Sequence, residues 1–338
     1  MTTDAEFDAL TTEEQERRLT AFAEFVLDQW DDGWRTIRLI KYRENAVFAV
    51  ANATGEQAVL RIHRPGYHSD VELRSELAWI EALSEDGIAL PRPLRSRTGL
   101  VLVTAQVKEV PHARQVDMFE WVEGRPLAHL TETAALIEAY RQLGALAGSM
   151  HRHSARWHRP EDFRRHAWDI EGLIGVKPLW GDFRELSVLS TDDRLLLEQA
   201  ASRAALELEV LPAEEYTLIH ADLVPDNVLL GVDGVKVIDF DDSGFGWRMF
   251  ELATALFPYL DAPHYPAIEK ALFDGYRSSF ALSQQERARL PLFLFLRSLT
   301  YLSWVHTRSG TQTAREMTAT FVRRARTLAR VYLERAAA

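Results

Sequence analysis

The sequence predicts an α+β protein in two lobes, the first rich in β-strands and the second mostly helical. Three observations carry this. Residues 36–64 alternate as strands do, with Val47 and Ala49, then Val59, Leu60 and Ile62, on either side of a Thr54-Gly55 turn. From residue 131 onward helical spacing of apolar residues dominates, as in Leu136, Tyr140, Leu143, Ala147 and Met150. Between helices lies a strand–loop–strand–turn–strand run at 216–242, in which polar residues stand at the strand ends.

Taken in order, residues 11–30 form an amphipathic helix through Leu19, Phe22, Ala23, Val26 and Trp30, capped by Thr11 or Thr12. Its first-turn glutamates, Glu13, Glu14 and Glu16, suit the positive end of the helix dipole. The loop Lys41–Ala46 separates two strands and contains no glycine. Arg61 lies on the strand that ends at Ile62, and a helix over 70–84 carries Glu76, with Glu72 one turn earlier. Pro91, Pro93 and Arg97-Thr98-Gly99 interrupt regular structure before strands at 100–103 and 115–122. A helix from Thr131 ends at His151 and His153, which read as structural or exposed. Residues 154–190 read as irregular, and a long irregular stretch in a compact domain is often functional. Helices follow at 191–210, 249–260, 265–281, 284–308 and 311–336, with Gly244–Trp247 expected as a flexible turn.

The central run is Tyr216–Ile219, His220-Ala-Asp222-Leu-Val-Pro-Asp-Asn227, Val228–Leu230, an Asp233-Gly234 turn, and Val235–Ile238 leading into Asp239. Asp222 and Asn227 are separated by four residues, and Asp239 closes the last strand. Phosphoryl transfer asks little covalent help of a protein. It needs a carboxylate that orients an acceptor hydroxyl and takes its proton, and hard oxygen ligands for a phosphate-bridging divalent cation. Aspartate and asparagine supply those oxygens on short, stiff side chains.

These residues, His220 to Asn227 with Ile238-Asp239-Phe-Asp241, resemble the aminoglycoside phosphotransferase and choline kinase-like family, which shares the two-lobed protein kinase-like fold. Within it the chain is most similar to the group containing the bacterial stress-response kinases. The resemblance implies an N-lobe over 1–118, a hinge at 119–124 and a helical C-lobe over 125–338, with the catalytic loop at 218–230. It implies ATP and Mg²⁺ as cofactors, Asp222 as catalytic base, and Asn227 and Asp239 as metal ligands. His220 would brace the loop. Arg61 would take the place of the family's phosphate-pairing lysine, with Glu76 as its helix partner; arginine keeps the charge but changes the geometry. Asn45 would sit in the loop over the phosphates, after Glu44. The backbone of Glu120 and Val122 would meet adenine at the hinge. Glu251 stands where the family has an aspartate that braces the catalytic loop, and its longer side chain is a departure.

Composition narrows the alternatives. Of 338 residues, 47% are apolar and 26% charged, so a large core is expected. A net charge of −11 argues against a sequence-independent nucleic-acid partner and suits a cationic acceptor. With no cysteine, thiolate nucleophiles and cysteine-ligated zinc are excluded. No signal peptide or membrane-length apolar run is evident, Arg297 interrupting the 291–305 stretch, so a cytoplasmic location is expected. An EF-hand counted from Asp239 fails because its twelfth position is Phe250. A dehalogenase-like phosphatase would carry its aspartate motif near the chain start. The expected activity is transfer of the ATP γ-phosphoryl group to a hydroxyl of a small molecule such as an aminoglycoside, amino alcohol or sugar. Two alternatives stand beside it, a Ser/Thr protein kinase of the stress-response type and a weakly active nucleotide-binding regulator.

Overall fold

The structure, a computed structural model, describes residues 6–7, 9–31, 33–42 and 45–337. The chain divides into two compact units, one of Met1–Glu123 with Arg159–Arg164 and one of Gly124–His158 with Arg165–Ala338. Among the described residues no helix is long and apolar enough to cross a membrane.

In the first unit, α1 (Thr12–Leu27) is followed by β1 (Arg35–Tyr42), β2 (Ala46–Ala51), β3 (Gln57–Ile62), α2 (Asp70–Glu85), β4 (Val103–Ala105) and β5 (Arg114–Glu120). The strands form one antiparallel sheet in the order β1-β2-β3-β5-β4. Its core is the expected one. Leu19, Phe22, Val26 and Trp30 of the N-terminal segment pack with Phe48, Val50, Leu60, Val116 and Met118 of the sheet. Thr11 caps α1 by accepting the Glu14 N–H. The strand expected at 100–103 lies instead at Val103–Ala105, where Val103 pairs with Val116.

The second unit contains β6 (Arg125–Pro126), α3 (Thr133–Ser154), β7 (Ala167–Trp168), α4 (Ile170–Ile174), α5 (Thr191–Leu208), β8 (Tyr216–Ile219), β9 (Val228–Gly231), β10 (Gly234–Val237) and β11 (Gly244–Trp247). Then come α6 (Arg248–Leu256), α7 (Tyr265–Ser279), α8 (Gln284–Ala288), α9 (Leu290–Thr307) and α10 (Gln312–Ala337). Three sequence expectations change here. Gly244–Trp247 is not a flexible turn but the middle strand of a sheet ordered β7-β11-β8. Glycine is required there for closeness rather than for bending, since a Cβ on Gly246 would meet Ile219 and Trp168. The stretch 154–190 is partly regular, because β7 is recruited by that same sheet. The helix expected over 284–308 breaks at Arg289, and α9 begins at Leu290 with Pro291 in its first turn.

Helices α3 and α7 meet backbone to backbone. A Cβ on Gly144 would lie inside the carbonyl oxygen of Leu272, and one on Gly275 inside that of Arg141. Backbone oxygens cannot swing aside as a side-chain end can. Gly275→Ala is therefore expected to cost about 1–3 kcal/mol by overpacking, read as a lowered midpoint in thermal unfolding. An unchanged midpoint would show that the two helices can part at little cost.

Candidate active site

The second unit builds one cluster around the loop between β8 and β9. Asp222 is held at both carboxylate oxygens. Asn227 Nδ2 donates to Oδ2 at 2.8 Å and also to the Asp222 carbonyl at 3.0 Å. Arg297 Nη2 donates to Oδ1 at 2.8 Å. Since the Asn227 amide nitrogen is used in this way, its Oδ1 is the atom left to serve a hard cation. The loop is pinned from behind. Glu251, fully buried, accepts the His220 N–H at 2.9 Å and the Ala221 N–H at 2.6 Å. The longer glutamate thus reaches the loop and braces it. Burial pushes its carboxyl pKa up, but His151 and His220 more than offset this and hold it below the usual range. His151 lies 3.5 Å from Glu251 and 2.9 Å from the Tyr276 hydroxyl, so it is a buried structural residue.

His220 ties the loop to the second half of the motif. Its Nδ1 accepts the Asp222 N–H at 3.2 Å, which places the ring proton on Nε2, donated to the Ile238 carbonyl at 3.1 Å. Asp239 follows at φ +67°, a left-handed conformation uncommon outside glycine, and is exposed. Two motif positions are therefore strained, since Ala221 has φ +64°. Such strain persists only where surrounding contacts enforce it.

Ala221 is held by Glu251 at its N–H and by Arg297 at its carbonyl, while the segment that follows Asp239 is held from the stretch expected to be irregular. Arg165 is buried and its guanidinium donates to the carbonyls of Ser243, Phe240 and Asp241. His166 Nε2 and Trp168 Nε1 both donate to the Asp242 carbonyl at 2.9 Å, and Trp180 Nε1 donates to Asp242 Oδ1 at 3.1 Å. Burial and the charges of Asp222, Asp241 and Asp239 push the Asp242 carboxyl well above the ordinary range, against the opposing Trp180 hydrogen bond. The segment after Asp239 is thus a fixed, carboxylate-rich loop with aromatic neighbours.

The first unit gathers a second set. Arg61 donates from Nη2 to Glu76 at 2.7 Å, and from Nε and Nη2 to the two oxygens of Asp117 at 3.0 and 2.7 Å. His63 Nε2 lies 2.9 Å from the same aspartate. All four side chains are buried, Glu76 and Asp117 completely. Burial would raise the Asp117 pKa, but Arg61 and His63 lower it to about 2. Glu72 is engaged elsewhere, closing a capping box with Ser69 at the start of α2. Asn45 is buried and accepts the Arg64 N–H at 3.2 Å, while Glu44 lies outside the described residues. Glu120 ends β5 exposed, with its N–H already given to the Arg92 carbonyl at 2.9 Å. Val122 follows, half-buried, in the unpaired stretch 121–124.

Asp222, Asn227 and His220 therefore share one hydrogen-bonded cluster that extends to Ile238 beside Asp239, and Arg61 with Glu76 share another. Sequence reasoning missed Asp117, Arg165 and Arg297. A signal was present for two of them: an acid inside the apolar run Val116-Asp117-Met118-Phe119, and an arginine inside Phe295-Leu296-Arg297-Ser298-Leu299. Arg165 lies in a stretch too rich in arginine to single it out.

A paired aspartate and asparagine on a braced loop, with a strand-end aspartate joined to it through His220, define a phosphotransferase of the protein kinase-like fold. Residues 36–292 match the model of the Phosphotransferase enzyme family, and the chain belongs to that family. It is similar to homoserine kinase of Pseudomonas aeruginosa, 30% identical over 258 residues that cover 74% of each chain. The solved structure of a microcompartment-associated aminopropanol kinase superposes with a TM-score of 0.82 at 32% identity, covering 93% of this chain and 97% of that one. Amicoumacin kinase, solved with AMP-PNP, Ca²⁺ and Ami, shares the fold with a TM-score of 0.76 at 20% identity and 96% coverage of both chains. The protein is a kinase that transfers a phosphoryl group to an alcohol group of a small molecule.

Proposed function

We propose that the protein uses ATP and Mg²⁺ to phosphorylate the hydroxyl of a small amino alcohol. One observation carries the acceptor class: Asp242, in the loop after Asp239 and held by a hydrogen bond from Trp180, feels the negative charges of Asp222, Asp241 and Asp239. Adjacent carboxylates repel one another and favour a protonated amine between them. The named relatives agree with this reading, since homoserine and aminopropanol both carry an amine and a hydroxyl.

In this proposal Asp222 orients the acceptor hydroxyl and takes its proton as the oxygen attacks the γ-phosphorus, while the bond from that phosphorus to the β,γ-bridging oxygen breaks and ADP leaves. Asn227 through Oδ1, and Asp239 through its carboxylate, would hold the divalent cation; their oxygen donors fit a hard ion. When bound, that cation neutralises charge on the phosphates. Arg61, oriented by Glu76 and Asp117, is assigned to the nucleotide phosphates. Asn45 is assigned to the loop covering them, and the backbone at Glu120 and Val122 to the adenine.

The test is Mg²⁺-dependent transfer from labelled ATP to a panel of amino alcohols, their N-acetylated forms, aminoglycosides and neutral diols. Amino alcohols are expected to be labelled, with kcat/KM at least about tenfold above their N-acetyl forms, a difference of about 1.4 kcal/mol. Equal use of neutral diols would remove the cationic-acceptor reading, and label on cell proteins alone would turn the assignment to a protein kinase. For the metal, Asp239→Ala is expected to weaken Mg²⁺-dependent nucleotide binding at least about tenfold, measured by calorimetry. Unchanged binding would remove Asp239 from the ligand set.

A further inference from the structure

We propose that Arg297 is a positioning residue for catalysis, an aromatic-caged guanidinium that holds the Asp222 carboxylate in its working orientation. The inference rests on Asp222 being the base and adds a residue that no motif contains. Arg297 lies in α9 among Leu294, Phe295, Leu296, Leu299 and Leu302, and is itself completely buried. A leucine or methionine would suit that helix better, because burying a guanidinium costs several kcal/mol before any partner is counted. Packing alone therefore does not account for it.

Its partners do. Nη2 donates to Asp222 Oδ1 at 2.8 Å and to the Tyr301 hydroxyl at 3.2 Å, and Nη1 donates to the Ala221 carbonyl at 3.2 Å. The guanidinium carbon stands 4.5 Å from the ring centre of Tyr301, 4.7 Å from Trp180 and 5.7 Å from Phe250. Nε has no hydrogen-bond partner among the described residues. Opposite Arg297, Asn227 grips Asp222 Oδ2. The carboxylate is thus fixed from both sides, and the strained Ala221 that precedes it is anchored by the same arginine. A base confined to one rotamer loses little freedom when the acceptor hydroxyl arrives, and a small misplacement of such a group costs rate steeply.

The cage also links Asp222 to the acceptor side. Trp180, whose ring faces Arg297, is the residue that donates to Asp242. One aromatic side chain therefore spans the base-positioning arginine and the carboxylate assigned to the acceptor amine.

Three variants test this. Arg297→Met, similar in volume and apolar, is expected to fold, to bind ATP within about threefold of the native value, and to lose at least about thirtyfold in kcat. Arg297→Lys, which keeps charge but not the fork, is expected to recover part of that loss. Arg297→Ala is expected to regain at least about tenfold in kcat with added guanidinium ion and nothing with urea. In the Asp222→Asn background, Arg297→Met is expected to add less than about threefold, since both changes act through one carboxylate. A kcat for Arg297→Met within threefold of native overturns the proposal, as does full additivity with Asp222→Asn or equal rescue by urea. If the methionine protein does not fold, the lysine and guanidinium arms decide. A native kcat in Asp222→Asn would instead sink the base assignment, a result separable from the others.

Discussion

Asp222→Asn is expected to lower turnover about a thousandfold while ATP affinity stays within about twofold of the native value; the size follows from the usual 10²–10⁴-fold worth of a general base. The substitution keeps shape and removes only the ability to accept a proton and carry charge. Its consequences are set by the two donors that hold the side chain. Asn227 Nδ2 faces Oδ2 and Arg297 Nη2 faces Oδ1. Whichever way the new amide turns, its NH₂ group meets one of these donors and cannot accept from it. The variant is therefore expected to lose roughly 1–3 kcal/mol of stability as well, because Arg297 is left buried beside a neutral group. Direct titration with nucleotide separates the two effects, since binding is measured without turnover. Native kcat in this protein would remove Asp222 from the role of base. A collapse of ATP binding equal to the loss of turnover would move it to the nucleotide site instead.

Asp117→Ala is expected to destabilise the first unit by about 3–5 kcal/mol, the cost of removing one partner from a buried ion pair. Asp117 is completely buried and answers two bases, Arg61 and His63. Arg61 and Asp117 are direct cross-strand partners on β3 and β5, so the contact is built into the sheet register. Without the aspartate, Arg61 retains Glu76 but loses a two-point grip, and a cavity opens beneath it. The acid limb of the stability curve changes as well. In the folded protein the Asp117 pKa is lowered to about 2, from an ordinary value of 3.8. Its contribution is fully present above pH 4, roughly the unfolded value, and disappears as pH falls through about 2. Native protein therefore loses a component of stability over that window, amounting to about 2 kcal/mol, which the alanine variant lacks. Denaturant unfolding of both proteins from pH 5 to pH 2 measures the difference. A loss at neutral pH below about 1 kcal/mol, or parallel acid limbs, would show that the cluster is not supporting the unit.

The motif residues were legible because their chemistry is local. Asp222, Asn227 and the His220 that joins them to Ile238 lie within one short loop and two short strands. A strand-end aspartate needs only the alternation that precedes it. The Arg61–Glu76 pair was readable mainly through the family resemblance, since charge spacing alone left Glu72 as a competing partner. The rival Glu72 is excluded by a signal that the sequence itself contains, Ser69 three residues earlier, which takes that glutamate as a cap. Gly244–Trp247 misled because glycine marks both turns and close approaches. Only the neighbours, Ile219, His166 and Trp168, show which case applies.

The amino-acid order alone thus determined the fold class, the family motif and the residue types that suit phosphoryl transfer, because these depend on spacings of a few residues. Tertiary structure decided which charges meet. Arg61 and Asp117 are 56 residues apart, Arg165 and Asp241 are 76, and Arg297 and Asp222 are 75. Each of those arginines reads locally as a solvated or misplaced charge. It becomes a partner only after sheet register or helix packing carries it to a carboxylate or a carbonyl, and burial then makes that contact too costly to lose.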